Sequence, residues 1–115
     1  MDRLFRLFFW LALLVTLWFA WSPQPPMLIE SDKSQHMLAF VVLTLLFFLA
    51  YPAVRWFWIL AALAALGALI EFVQSVPTLH RDGDIGDWYA DLAAIALTIA
   101  LCVAVRKFAR RERAG

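Results

Sequence analysis

The sequence predicts an all-α membrane protein: four transmembrane helices in an antiparallel bundle, with the N-terminus and C-terminus both cytoplasmic. Three observations predict it. The chain is 64% hydrophobic with a mean hydropathy of +0.78, whereas an ordinary soluble domain is about 45–50% apolar. The apolar residues fall into four runs separated by short polar or proline-containing breaks. The basic residues are placed so that one topology gathers nearly all of them on one side. Four spans of about 20 residues each use most of the 115 residues, so residues 1–115 read as a single domain.

The first run, Leu7 to Trp21, follows Arg3 and Arg6 and stops at Ser22-Pro23-Gln24-Pro25-Pro26, which no helix passes intact. It has the basic start of a signal peptide. Trp18 and Trp21 suit a cleavage site poorly, however, and three more runs follow, so it is read as a retained span. The second run is Met37 to Tyr51, ending at Pro52. The third is Trp56 to Ile70, continuing past Glu71 to Val76 before Pro77. The fourth begins near Ile85 or Asp87 and reaches Val105. The predicted spans are 4–21, 34–51, 56–75 and 87–105.

The uninterrupted apolar stretches are only about 14 or 15 residues long, short of the roughly 17–25 a span needs. Runs two to four reach full length by drawing in polar neighbours: Lys33 and His36, Glu71 and Gln74, Asp87 and Asp91. Orientation follows the positive-inside rule. Arg3, Arg6, Arg55, Arg106, Lys107, Arg110, Arg111 and Arg113 fall on the cytoplasmic side, and only Lys33 and Arg81 face outward. Trp18, Trp21 and Trp88 then mark the outer interface, and Trp56 and Trp58 the inner one. Alanines and Gly67 at helical spacing, Ala61, Ala64, Ala65 and Ala68 on the third run and Ala93, Ala96, Ala100 and Ala104 on the fourth, predict a close pair of these two helices.

The polar residues pair on helix faces at the outward ends. Asp32 and His36 are four apart, Glu71 and Gln74 three apart, Asp87 and Asp91 four apart. An acidic group at a helix centre costs roughly 2.5–3.5 kcal/mol on insertion scales, less near the interface. Glu71 and Asp91 have stems too short to reach water easily, so they are expected to point inward and meet Lys33, His36 and Arg81 in one network. The first helix is expected to be mainly packing. Glu30, Asp82 and Asp84 read as solvated loop residues, and His80-Arg81-Asp82-Gly83-Asp84 is too short for an EF-hand loop.

Other classes find no support. Cys102 is the single cysteine, in an apolar run, so no internal disulfide forms and inert packing is expected. The chain has no zinc-type Cys/His spacing, phosphate-cradling glycine loop or Ser-His-Asp order. The basic tail from Arg106 to Arg113 follows an apolar span, which favours anionic lipid headgroups or a cytoplasmic partner over nucleic acid. No resident metal or cofactor is expected; a divalent ion among His36, Glu71, Asp87 and Asp91 is a minor alternative.

The order Asp32-Lys33-Ser34-Gln35-His36, then Glu71-Phe72-Val73-Gln74, then Arg81 with Asp87 six residues on, resembles the VanZ-like family of small bacterial membrane proteins. That pattern reads D-K-x-x-H, E-x-x-Q, then R followed by D-x-x-x-N-x-x-G, and it covers the chain from Asp32 into the fourth helix. Asp91 stands where the family usually has Asn, and Ala94 where it usually has Gly. The resemblance implies a multi-pass protein of the bacterial inner membrane, linked to the cell envelope and, through the family's namesake, to glycopeptide (teicoplanin) resistance. It supplies no mechanism.

The site residues expected to bind ligand are Asp32, Lys33, His36, Glu71, Gln74, Arg81, Asp87 and Asp91. The expected ligand is an anionic lipid headgroup or cell-wall precursor, its phosphate or carboxylate held by Lys33 and Arg81. If a reaction occurs, Glu71 with His36 or Asp87 would be the acid and base; no nucleophile stands out, and binding is favoured. The alternatives are an ion-coupled transporter or proton relay, and a scaffold for a membrane-protein partner whose polar network is structural.

Overall fold

The computed structural model describes residues 2–22, 32–76 and 85–114, and within them the chain forms four α-helices. These are α1 (Asp2–Trp21), α2 (Asp32–Ala50), α3 (Trp56–Gln74) and α4 (Ile85–Ala114). Three, Asp2–Trp21, Trp56–Gln74 and Ile85–Arg113, are long and apolar enough to cross a membrane, while the apolar part of α2, Ser34–Ala50, is shorter. Asp32, Lys33 and His36 are the reason: they occupy the turn that apolar residues would otherwise fill.

The boundaries follow local chemistry. Helix α1 closes where the Ser22 N–H donates to Trp18 O at 3.0 Å, just before the prolines. Helix α2 stops at Pro52, which has no N–H to give. Arg55 opens α3 from an extended conformation, and Ser75 closes it, its hydroxyl donating to Glu71 O at 2.9 Å. Helix α4 continues past the predicted end of its span. Its basic tail contains good helix formers and neither Pro nor Gly before Gly115, and cations suit a helix C-terminus.

The chain packs into a rod of 57 × 27 × 25 Å, with α1 against α2, α2 against α4 and α4 against α3 as the main contacts. Phe40, Leu43, Ile59, Ile70 and Ile95 are fully enclosed at its centre. The buried hydroxyls of Thr16, Thr44 and Thr98 donate to the carbonyls four residues back, Ala12, Phe40 and Ala94, so they need no partner across the interface. The outer surface is apolar: Phe72 is 74% and Leu97 73% exposed. Such a surface suits lipid as its solvent.

Side-chain bonds fix which helix ends lie together. Arg6 Nε donates to Ala50 O at 3.2 Å and lies over the Tyr51 ring, while Trp10 Nε1 donates to the Tyr51 hydroxyl at 3.0 Å. Arg106 Nη2 donates to Phe48 O at 3.1 Å and covers the Phe48 ring. Carbonyls at the C-terminus of α2, left without intrahelical donors, thus accept from arginines of α1 and α4. At the other end Gln74 Nε2 donates to Ala20 O at 2.7 Å, tying the end of α3 to the end of α1.

The α3–α4 contact exists but is not made as the alanine spacing predicts. Ala61, Ala65 and Ala68 of α3 and Ala93 of α4 are exposed, and Ala96, Ala100 and Ala104, also exposed, line an open groove beside Trp56 and Leu60 of α3 instead of a closed backbone contact. Only Ala64 and Gly67 of the predicted small residues turn inward, and they receive a side chain rather than a backbone. The Trp88 indole lies on Gly67, where a Cβ would come within 3.2 Å of Trp88 Cδ1, and its N–H donates to Ala64 O at 3.0 Å. Trp88, expected at the interface belt, is therefore half-buried between the helices. Helical periodicity shows which residues share a stripe; it does not show which way a helix apolar all round turns that stripe.

Candidate functional site

Three ionisable side chains from three helices converge. His36 lies in the second turn of α2, Glu71 in the last turn of α3, and Asp91 in the second turn of α4. A side-chain nitrogen or oxygen from each lies within 4.8 Å of the others. All three are buried, at 5%, 7% and 1% exposure. The meeting follows from the helix ends: the start of α2, the end of α3 and the start of α4 share one end of the rod, and each residue sits about a turn inside it.

Burial of two carboxylates is expensive unless protons, cations or hydrogen bonds compensate them. Three chemistries suit such a group. It can share and pass a proton, since an imidazole gains and loses one near neutral pH and a carboxylate beside it can accept it. It can accept hydrogen bonds from hydroxyl or ammonium groups. It can also offer one donor atom each to a divalent ion, whose carboxylate and imidazole bonds run near 2.0–2.2 Å for zinc. Atoms on opposite sides of such an ion are about 4.4 Å apart at most, so the group would close slightly around it.

The remaining predicted residues divide. Gln74 is fully buried, with its amide N–H given to Ala20 O, so at least that half of its amide serves the α1–α3 contact. Asp87 is half-buried one turn before Asp91 and stands outside the group of three. Arg81 and the side chains of Asp32 and Lys33 lie outside the described residues, as do Glu30, His80, Asp82 and Asp84. The single cysteine, Cys102, is half-buried and in no disulfide.

One feature of the site escaped the sequence reading. A cavity of about 230 Å³ runs between α1 and α2, lined by Val15, Thr16 and Phe19 on one side and Gln35, His36 and Ala39 on the other. Its walls are almost wholly apolar, and His36 sits at its edge. Helix α1 therefore supplies one wall of this cavity. No periodicity could have revealed this, because the cleft arises where Ala12 and Ala39 leave two apolar helices short of side-chain volume.

Fold and site together define an all-helical chain with membrane-length apolar helices and a buried His-Glu-Asp group at one end. No family pattern, no curated protein and no solved structure matches the chain.

Proposed function

We propose that this is a four-span protein of the bacterial inner membrane, VanZ-like in kind, that binds the headgroup of an amphiphile at its outer face. The helices alternate in direction, with both termini cytoplasmic. The bonds joining the start of α1 to the end of α2 and the end of α3 to the end of α1 support that arrangement. The imbalance of basic residues supports the orientation.

The observation that carries the reading is the union of the His36–Glu71–Asp91 group with the apolar α1–α2 cleft at whose edge His36 lies. A polar group beside an apolar slot matches a lipid or a lipid-linked envelope precursor, headgroup on the polar group and hydrocarbon in the slot. Glu71 and Asp91 would accept from hydroxyl or ammonium groups of that headgroup. Lys33 and Arg81, the cations assigned to this end by sequence, would meet its phosphate or carboxylate. Binding needs nothing further; if a reaction follows, His36 and Glu71 are the pair able to move a proton.

An ion-coupled relay is the weaker reading. Between this group and the basic end the sequence has no ionisable side chain from Met37 to Ala50, from Trp56 to Ile70 or from Leu92 to Leu101, so a proton has no chain of groups to follow across the membrane.

Lipid bound to protein purified in mild detergent from native membranes tests the proposal, by mass spectrometry of wild type, Glu71→Gln, Lys33→Ala and Arg81→Ala. Wild type should carry one lipid class that the variants lose. Equal lipid content in all four sinks it.

A further inference from the structure

The opposite end of the rod holds a second site that the outer-face reading does not use. A cavity of about 550 Å³ opens between the α2–α3 turn and α4, and its rim carries Arg55, Arg106, Lys107 and Arg110. Among the described residues no carboxylate lines it. Asp2 and Glu112, the acids of the helix ends that share this side of the bundle, are exposed and do not line it. Like charges so placed repel, and among the described residues no acidic side chain pairs with Arg55, Lys107 or Arg110.

The arrangement is also partly fixed. Arg106 is held by Phe48 O at 3.1 Å and by the Phe48 ring, with its guanidinium 4.5 Å from the ring centroid. Arg110 lies one turn on, at the four-residue spacing that puts it on the same face, and Arg55 reaches the cavity from the other wall. Pro52, Ala53, Val54, Trp56, Phe57 and Val103 add apolar lining, so the pocket combines apolar and cationic walls where an apolar helix ends. Trp56 and Phe57 are about half exposed, at 49% and 40%, as aromatic side chains are where a membrane meets water.

We propose that this cavity binds the phosphate of an anionic phospholipid in the leaflet at the basic end of the bundle, between Arg55, Arg106 and Arg110. Arginine forks match phosphate oxygens in two-point hydrogen bonds, and the phosphate supplies the negative charge that the pocket lacks. A lipid is favoured over a soluble phosphate because the apolar lining lies at the end of membrane-length helices, where the glycerol and first methylenes of a lipid would rest. The site is a defined pocket, distinct from the general attraction of the tail to a charged surface.

The test uses the full chain in nanodiscs of phosphatidylcholine doped with phosphatidylglycerol, with native mass spectrometry reading bound phosphatidylglycerol. Arg55→Gln combined with Arg110→Gln should lower its affinity about tenfold or more, two charge-assisted contacts being lost. Arg111→Gln combined with Arg113→Gln removes the same charge outside the pocket and should leave affinity within about twofold. Arg106 is left alone because it also caps α2. Equal losses in the two double variants would make the attraction diffuse and overturn the proposal, as would no loss in either. Inorganic phosphate binding the lipid-free protein in detergent as tightly as phosphatidylglycerol does would overturn it too, by making the apolar lining irrelevant to the ligand.

Discussion

Replacing Gln74 by Met separates the architecture of this end from its chemistry. Met keeps the length and nearly the volume of Gln but removes the amide that donates to Ala20 O at 2.7 Å. Ala20 lies in the last turn of α1, where carbonyls have no intrahelical donor, and both residues are 1% exposed. Interhelical side-chain bonds in membrane bundles average about 0.6 kcal/mol, while a stranded buried acceptor costs about 1–3 kcal/mol. The burial of both partners argues for the upper part of that range, about 1.5–3 kcal/mol. Gln74→Ala adds a cavity and should cost about 1–2 kcal/mol more. Unfolding in mixed micelles, followed by tryptophan fluorescence as denaturing detergent is added, measures both. The Met variant should unfold earlier while the folded fraction keeps its bound lipid. An unfolding midpoint equal to wild type would refute the anchoring role, and loss of lipid from folded protein would make Gln74 a ligand residue instead.

Two further expectations concern packing around the site. Gly67→Ala brings a Cβ to 3.2 Å from Trp88 Cδ1, and the indole is held by Ala64 O, so the ring has to shift by a few tenths of an ångström; the loss of stability should be about 1 kcal/mol, with a change in Trp88 emission against a Trp88-only background. Ala39→Phe fills the α1–α2 cleft without touching Glu71 or Asp91, and it should remove the copurified lipid while leaving the unfolding midpoint near that of wild type. Retained lipid in that variant would show that the hydrocarbon lies elsewhere.

Much of the architecture was legible from the residues. Prolines at 23, 52 and 77 and the lengths of the apolar runs marked the helices to within a few residues at most ends. The cost of placing Glu71 and Asp91 a turn inside the boundary foretold that they would turn inward, and with His36 they do. What the sequence could not convey was rotation. In helices apolar on every side, the stripe of Ala93, Ala96, Ala100 and Ala104 could face a partner or lipid; Ala96, Ala100 and Ala104 stay exposed along an open groove beside Trp56 and Leu60 of α3. Gln74 reads as a companion of Glu71 because the two share a helix face; its amide N–H is given to Ala20 O, while Glu71 meets His36 and Asp91. The α1–α2 cleft depends on missing volume between two helices far apart in sequence, which single-chain periodicity does not record.

The account turns on one arrangement, an amphiphile with its polar end on His36, Glu71 and Asp91 and its chain between α1 and α2. A structure of the protein determined in nanodiscs of its native lipids tests it most directly. The account predicts continuous density running from the three side chains along Ala39 and Val15. An empty cleft in fully lipidated protein, or Glu71 and Asp91 turned away from each other, would contradict it.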